Sequence, residues 1–508
     1  MNRKAPTGGD SREHSNRSAF TATRMKGLAV LTGLAAPVLA LTLAVSLCLS
    51  GCAVGPNYVR PKVDAPSDFR GAEGAAQQAS FADLPWWEAF KDQRLAELIQ
   101  TALANNYDLR VAITRIEQSR QIALQSRALY FPFVNYSVSG SDGKNEFVGS
   151  VTPTRGNVQG SFLGVASVAW EADVWGRLRR LNESARAQYL ATEQARRGVM
   201  LSLVSDVSQA YFQLLGLELQ LDISRQTTAS FGDTLKFFTQ RLEGGVASKL
   251  ETSRAAAAQA TAAASIPELE RQIALTENQI SVLLGSNPRE IQHTAKLLDE
   301  VVPPDIPAGL PSALLERRPD VLEAEQLMHS ASAQIGVATA NFFPQIGLTA
   351  LLGRASSPLS LLSSGQSTVW SLAGNAAGPI FQGGALTAQK RQSVAFWEQS
   401  KLQYQQTALN AFSDVSNALI SRQKFEAIRI QQEQAVQSYR ESVQVALQRY
   451  TSGKANYYEV LEAQQQLYPA EISLAVTELN RRIVMVQLYL ALGGGWNLKD
   501  PDWVGPKS

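Results

Sequence analysis

From Ala385 to Tyr450 the chain contains neither proline nor glycine, the two residues that interrupt a helix most strongly. About 65 such residues read as one α-helix of roughly 100 Å. An ordinary globular helix has about 11–12 residues. Val436, Val443 and Tyr450 recur every seven positions, as do Tyr439 and Ala446, and Leu402 and Leu409 pair with Phe412 and Leu419 in the same way. Recurrence every seven is the mark of helices packed as coiled coils. Gln, Ala and Ser fill much of the remainder, and small residues on both sides let a helix touch neighbours on two faces. A matching stretch runs from about 177 to 241. It has no proline, and its only glycines are Gly198, Gly216 and Gly232. An isolated glycine costs a helix about 1 kcal/mol without ending it.

The two long stretches belong to two copies of one unit. Asp108-Leu109-Arg110 matches Asp320-Val321-Leu322, and Tyr130-Phe131-Pro132 matches Phe342-Phe343-Pro344, both at an offset of 212. Arg241-Leu242-Glu243-Gly244-Gly245 matches Arg449-Tyr450-Thr451-Ser452-Gly453, and Leu284-Gly285 matches Leu492-Gly493, both at 208. A period near 210 is too long for a solenoid and indicates a duplicated, domain-sized unit. Each copy reads as a short helix from about 93 or 312, a longer helix, two strands, a very long helix, a glycine turn and another helix. The longer helices stop before Phe-Pro, because the residue preceding proline is pushed out of the α region. Pro319 suits the first turn of its helix, and Asp320 suits the positive end of the dipole.

The strand-like stretches alternate. In Val134-Asn135-Tyr136-Ser137-Val138-Ser139 large apolar and small polar residues take turns. Phe162, Val168 and Trp170 share one parity, and Ser167, Glu171 and Asp173 the other. Ile346, Leu348, Ala350 and Leu352 alternate with Gln345, Gly347, Thr349 and Leu351, and Trp370 and Leu372 flank Ser371. Runs of about 9 to 14 residues have the length of tilted membrane strands. Gly/Ser-rich segments at 139–161 and 353–368 join them. Four strands are too few for a sandwich and too few to close a barrel, so several chains must pool them if they span lipid.

The N-terminus points to export. Lys26 precedes an apolar run from Leu28 to Leu49 that ends in Leu49-Ser50-Gly51-Cys52. A charged start, an apolar centre and a small-residue end form a secretory signal. The last four residues resemble the lipobox of bacterial lipoproteins, in which the thiol of Cys52 takes the lipid. Residues 1–24 are polar and unlike a usual signal start, whereas Met25-Lys26 makes an ordinary one. Residue 53 is Ala, not the Asp that resembles an inner-membrane retention signal, which favours the outer membrane.

Composition excludes several classes of function. Removing residues 1–51 takes six basic and two acidic residues from totals of 47 and 45, leaving 41 and 43 and a net charge of −2. Nucleic-acid binding calls for a basic face, so no such partner is expected. Cys48 lies inside the signal, so the mature chain has one cysteine and no internal disulfide. His293 and His329 are the remaining histidines, which leaves no zinc site of the usual kind and no nucleophile elbow. Both read as ordinary structural or surface residues. Neither metal, cofactor nor catalytic residue is expected.

Several segments together resemble the TolC-like outer-membrane factors, in the OprM/NodT lipoprotein branch, across essentially the whole mature chain. They are Cys52-Ala-Val-Gly-Pro-Asn-Tyr58 with Pro61, Trp86-Trp87-Glu-Ala-Phe90, Trp170-Glu-Ala-Asp-Val-Trp-Gly176, Leu315-Glu-Arg-Arg-Pro-Asp-Val321, Phe342-Phe-Pro344, Pro379-Ile-Phe-Gln-Gly-Gly384 and Ala491-Leu-Gly-Gly-Gly-Trp496. The resemblance implies a mainly α fold with membrane β: a long α-helical barrel of coiled-coil hairpins, with four transmembrane strands per chain closing a trimeric twelve-stranded barrel. It implies a homotrimer in outer-membrane lipid, lipid-anchored and extending into the periplasm. The partners implied are a periplasmic adaptor (membrane fusion) protein and a proton-driven inner-membrane pump. The expected function is a passive exit duct of a tripartite efflux system for drugs or other small solutes. A protein-secretion duct is the alternative, and a coiled-coil adhesive lipoprotein or an enzyme fits less well. The expected divisions are 1–51 signal peptide, 52–92 anchor and equatorial segment, 93–290 first repeat, 291–311 linker, 312–496 second repeat and 497–508 tail.

The expected site is a constriction. Gly244, Gly245 and Gly453 mark the periplasmic tips of the hairpins, where glycine supplies positive φ. Glu251, Glu459 and Glu462 follow the turns. By resemblance they match the acidic rings of the family's closed aperture, where three copies of each would favour cations. A solvated helix face is the plain alternative for such acids. Arg241, Arg449 and Tyr450 precede the turns and are candidates for tying hairpins together at the tip, or simply dipole partners at a helix end.

Overall fold

The computed structural model describes residues 53–72, 80–84, 92–144, 158–299 and 308–494. The signal, Cys52, the Trp86-Trp87 segment and the tail lie outside the described residues. Two rounds of the same element order fill the chain. The first is α1 (Gln93–Asn105), α2 (Tyr107–Ala128), β1 (Phe133–Lys144), β2 (Val158–Ala172), α3 (Arg177–Glu243) and α4 (Lys249–Leu283). The second is α5 (Pro311–Arg317), α6 (Pro319–Ala340), β3 (Gln345–Ser356), β4 (Thr368–Ala377), α7 (Ala385–Thr451) and α8 (Tyr457–Ala491). Three of the four corresponding helix pairs match in length: 22 residues in α2 and α6, 67 in α3 and α7, 35 in α4 and α8, while α1 has 13 and α5 has 7.

Local chemistry sets the ends. Asp92 caps α1 by accepting a bond from the Leu95 amide at 2.9 Å. Pro311 and Pro319 occupy first-turn positions of α5 and α6, where a missing N–H costs nothing. Gly198, Gly216 and Gly232 all lie inside α3 without ending it.

The chain divides into two compact units, and each draws on both copies. Among the described residues, one comprises 53–57, 126–144, 158–183 and 333–393, the other the rest. The first holds a single antiparallel sheet in the order β1-β2-β3-β4. Its register makes the alternation continuous across strands. Val134 lies opposite Val168, Val168 opposite Ala350, and Ala350 opposite Leu372. The next row is Tyr136, Ala166, Leu352 and Trp370. On the other face Asn135, Ser167, Leu351 and Ser371 align. The apolar face is open, with Tyr136 86% and Leu372 78% exposed. Pairing continues through Ser139↔Leu163 to Lys144↔Val158, so β1 and β2 take in both ends of the Gly/Ser-rich segment that the sequence suggests as a connection. Serine and glycine keep both ladder groups, and the backbone bonds carry the hairpin on. Likewise β3 extends to Ser356.

The second unit holds the main core. Leu95 and Ile99 of α1 meet Val207, Tyr211 and Leu214 of α3, Ile280 of α4, Met328 of α6, Val415 of α7 and Leu488 of α8. The buried stripe of α7 is Tyr404, Ala408, Ala411, Val415 and Ala418, with Phe412 and Leu419 beside it. This spacing of four and three is a heptad seam. Leu402 and Leu409 instead point outward, 65% and 58% exposed, because the seam runs along the adjacent stripe. Among the described residues no helix is long and apolar enough to cross a membrane.

The two faces of the sheet predict opposite tolerances. Leu372→Arg on the apolar face should cost about 2–4 kcal/mol where it meets the bilayer midplane. Ser371→Arg on the polar face should cost far less. Heat-dependent gel mobility of the folded form measures both.

Candidate functional site

Both long helices end in the same way. Gly245 N–H bonds the Leu242 carbonyl and Val246 N–H the Arg241 carbonyl; Gly453 and Lys454 repeat this on Tyr450 and Arg449. This pair of bonds is the Schellman arrangement, which needs a left-handed residue just past the helix. Gly245 (φ 76°) and Gly453 (φ 70°) supply it. Gly244 does not share this role: it stands where Ser452 stands in the second copy, at ordinary negative φ, and needs no special freedom.

The descending helices start differently. Ser248 and Glu251 form a reciprocal capping box, with Ser248 N–H to Glu251 Oε2 at 2.7 Å and Glu251 N–H to Ser248 Oγ at 3.3 Å. Asn456, in the equivalent place, makes no side-chain cap. There Glu459 turns to Arg449 across the hairpin, at 3.4 Å. Glu459 and Glu462 line one groove with Tyr439, Glu441 and Arg449. Both are exposed. Glu251 therefore holds a helix start, whereas Glu459 and Glu462 share a wall. An exposed pair such as Arg449–Glu459 contributes about 0–1 kcal/mol.

Beneath the turns lies an aromatic core that heptad reasoning missed. Phe231 and Phe238 of α3, Ala255, Ala258 and Ala262 of α4, Ala446 of α7, and Tyr457, Val460 and Leu461 of α8 pack together. The Phe238 and Tyr457 rings are 3.9 Å apart. The Arg241 guanidinium lies over Phe237 at 5.6 Å and over Tyr450 at 5.3 Å. Arg241 thus joins the first hairpin to the second through cation–π contacts, and Tyr450 is its acceptor. Arg449 instead joins two helices of one hairpin. The signal for this core was the adjacent aromatics Phe237-Phe238 and Tyr457-Tyr458 on either side of the turns. Farther along, the Tyr468 hydroxyl lies 2.9 Å from Ser224 Oγ and 2.8 Å from Ser265 Oγ, tying α8 to α3 and α4.

The residues after Cys52 have a built seat in the other unit. Val54 N–H bonds the Trp175 carbonyl at 3.0 Å. Arg180 donates to the Val54 and Gly55 carbonyls at 3.4 Å and to Asn57 Oδ1 at 2.7 Å. Gly55, at φ 95°, passes so close to Gly336 of α6 that a Cβ on Gly55 would lie 2.5 Å from the Gly336 Cα. Trp175 donates to the Pro344 carbonyl at 2.8 Å and stacks on Phe343. Three sequence segments that look independent are therefore one joint. Among the described residues no group of three or more His, Cys, Asp or Glu is placed to hold a metal ion.

An open sheet with one apolar face, carried with paired 67-residue helices, defines a membrane channel subunit rather than a globular domain. The chain belongs to the outer membrane efflux protein family, whose model matches residues 98–286 and 310–494. It is 33% identical over 466 residues to the cation efflux system protein CusC of Escherichia coli, covering 91% of this chain and 99% of that one. It is 35% identical over 467 residues to the probable efflux pump outer membrane protein TtgC of Pseudomonas putida, covering 90% and 95%. Its fold is similar to the open state of the MtrE outer membrane channel of Neisseria gonorrhoeae, with TM-score 0.80, 28% identity and coverage of 87% and 98%. An outer-membrane efflux channel is what this chain forms.

The Tyr457 hydroxyl is buried without a hydrogen-bond partner. Burial, and then the nearby Glu251 carboxylate, push its pKa up to about 12. The folded state thus disfavours the phenolate. Its contribution is complete below the unfolded pKa of about 10 and is lost as pH rises through the folded value. Tyr457→Phe should leave stability at neutral pH unchanged or raise it by up to about 1 kcal/mol. It should also remove that alkaline loss. Thermal melting against pH checks both.

Proposed function

We propose that three copies of this chain close a twelve-stranded barrel in the outer membrane and continue it as a helical duct, the passive exit of a tripartite efflux system. One observation carries this reading: the four-stranded sheet exposes an apolar face, and β1 and β4 are its two edges. In hydrocarbon, unpaired edges are not tolerated, and only a closed barrel removes them. Four strands do not close one, and twelve do. Small polar residues such as Asn135, Ser167 and Ser371 then face the lumen, which suits aqueous passage of solutes.

The duct performs no covalent step. Its working parts are the wall, the tip and the partners. At the tip, three copies of Glu459 and Glu462 form acidic rings that attract cations and repel each other. Glu251 adds charge from the neighbouring hairpin while serving as a cap. Arg241 with Tyr450 holds one hairpin to the other in the narrow arrangement, and Arg449 with Glu459 braces the second hairpin. A periplasmic adaptor engages the tips, and a proton-driven inner-membrane pump supplies the substrate and the energy. Drugs or other small solutes are the cargo. The relatives' names, cation efflux and efflux pump, support this over protein secretion. The lipid on Cys52 is an auxiliary anchor, because the Arg180 and Gly336 seat fixes the adjoining residues beside the base of the sheet.

Glu459→Ala with Glu462→Ala should lower cation preference and raise single-channel conductance in planar bilayers. Unchanged selectivity would remove the aperture from the model. Cys52→Ala behind a cleavable signal should reduce the amount of assembled trimer but not the conductance of inserted channels. The duct itself is tested by deletion: the strain lacking the gene should become hypersensitive to several drugs, and complementation should restore resistance.

A further inference from the structure

His293 lies in the segment between α4 and α5, and its side chain is only 7% exposed. Nε2 is 3.1 Å from Glu218 Oε1 on α3, and Nδ1 is 3.2 Å from the Ala295 carbonyl oxygen. A carboxylate and a carbonyl both accept hydrogen bonds and donate none. A neutral imidazole carries one N–H and one lone pair, so either tautomer would aim a lone pair at an acceptor. The imidazolium donates to both. We propose that His293 is a proton-operated clamp: charged, it ties the 286–299 segment to α3, and neutral, it lets that segment loosen.

The surroundings have the right sign. Glu218 and Asp222 come from α3 and Glu277 from α4, all lining the same groove of about 530 Å³. Asp92, which caps α1, adds attraction. The segment itself brings Glu290 and Asp299, with Lys296 as the opposing cation. The Tyr211 ring meets the imidazole edge-on, at 6.0 Å between centroids. The segment's backbone shares the fate of the clamp. Ile291 N–H bonds Glu277 Oε1 at 3.0 Å, Arg289 N–H bonds Ser281 Oγ at 3.2 Å, and Arg94 holds the Gln292 carbonyl at 2.8 Å.

The hydrogen bond to Glu218 raises the His293 pKa above the ordinary imidazole value, against the opposing effect of burial. A raised folded pKa contributes stability that is complete below the unfolded value of about 6.5 and is lost as pH rises through the folded one. The segment is therefore held most firmly on the acid side of neutrality. It loosens on the alkaline side.

Hydrogen–deuterium exchange on the full-length protein in detergent micelles tests this, at about pH 5.5 and about pH 8.5, corrected for intrinsic exchange. Ile291 and its neighbours should lose protection at the higher pH, by about tenfold for each unit by which the folded pKa exceeds the unfolded one. Peptides from the hairpin tips should not. In His293→Gln the low-pH protection should fall and its pH dependence disappear. Glu218→Gln keeps an acceptor but removes the charge, so the midpoint should move to lower pH. A flat wild-type profile overturns the clamp, as does an unchanged profile in His293→Gln. Should His293→Gln not fold, an unmoved midpoint in Glu218→Gln overturns it alone.

Discussion

Backbone hydrogen bonding in hydrocarbon governs the rest of this molecule. Each N–H and C=O at the edge of β1 or β4 costs several kcal/mol if left unpaired where no water reaches. Side chains do not remove that cost; further strands do. The apolar row running from Val134 through Val168 and Ala350 to Leu372 makes the same demand from the other direction, since it is stable against lipid and not against water. The chain contributes two hairpins, one per copy, and the register joins them as β2 to β3. Duplication has thus built one sheet rather than two, which is why the compact units cut across the copies.

The copies have kept the lengths of their long helices and changed their tips. Arg241 and Arg449 both give a carbonyl to the closing turn, and Glu251 and Glu459 both occupy the first turn after it. One arginine then lies on aromatic rings while the other reaches a carboxylate, and one glutamate caps a helix while the other faces a groove. The same framework therefore offers an aromatic, cation–π joint between the two hairpins and an ion pair within the second. The electrostatic joint is weakened by salt; the aromatic joint is much less so.

What was legible in the sequence follows from periodicity. The long helices came from unbroken stretches without proline, and the matched copies and the strand parity from spacings of about 210 and two, because those patterns are properties of the backbone. Interior detail was less accessible. Leu402 and Leu409 fit a heptad as well as the stripe buried within the chain does, since spacing alone does not say which stripe packs against the chain's own helices. Gly244 and Gly245 look alike in the sequence, and the hydrogen bonds separate them. The strand ends were underestimated because serine and glycine mimic a loop when their pairing is unseen. The seat formed by Gly55, Arg180 and Gly336 joins residues more than a hundred positions apart, and no local pattern announces it. Nor did any motif mark His293, read as an ordinary structural or surface histidine.

The equal lengths of α3 and α7 carry a consequence for how such chains vary. One inserted residue turns everything beyond it by about 100° around a helix axis and exposes a seam that had been covered. Seven residues make nearly two full turns and restore it to within about 20°. Length changes in these helices should therefore be quantised in heptads. A change in one copy also misaligns its tip with the other unless it is matched. The two rods behave as a pair of rulers that are recalibrated together, in steps of about 10 Å.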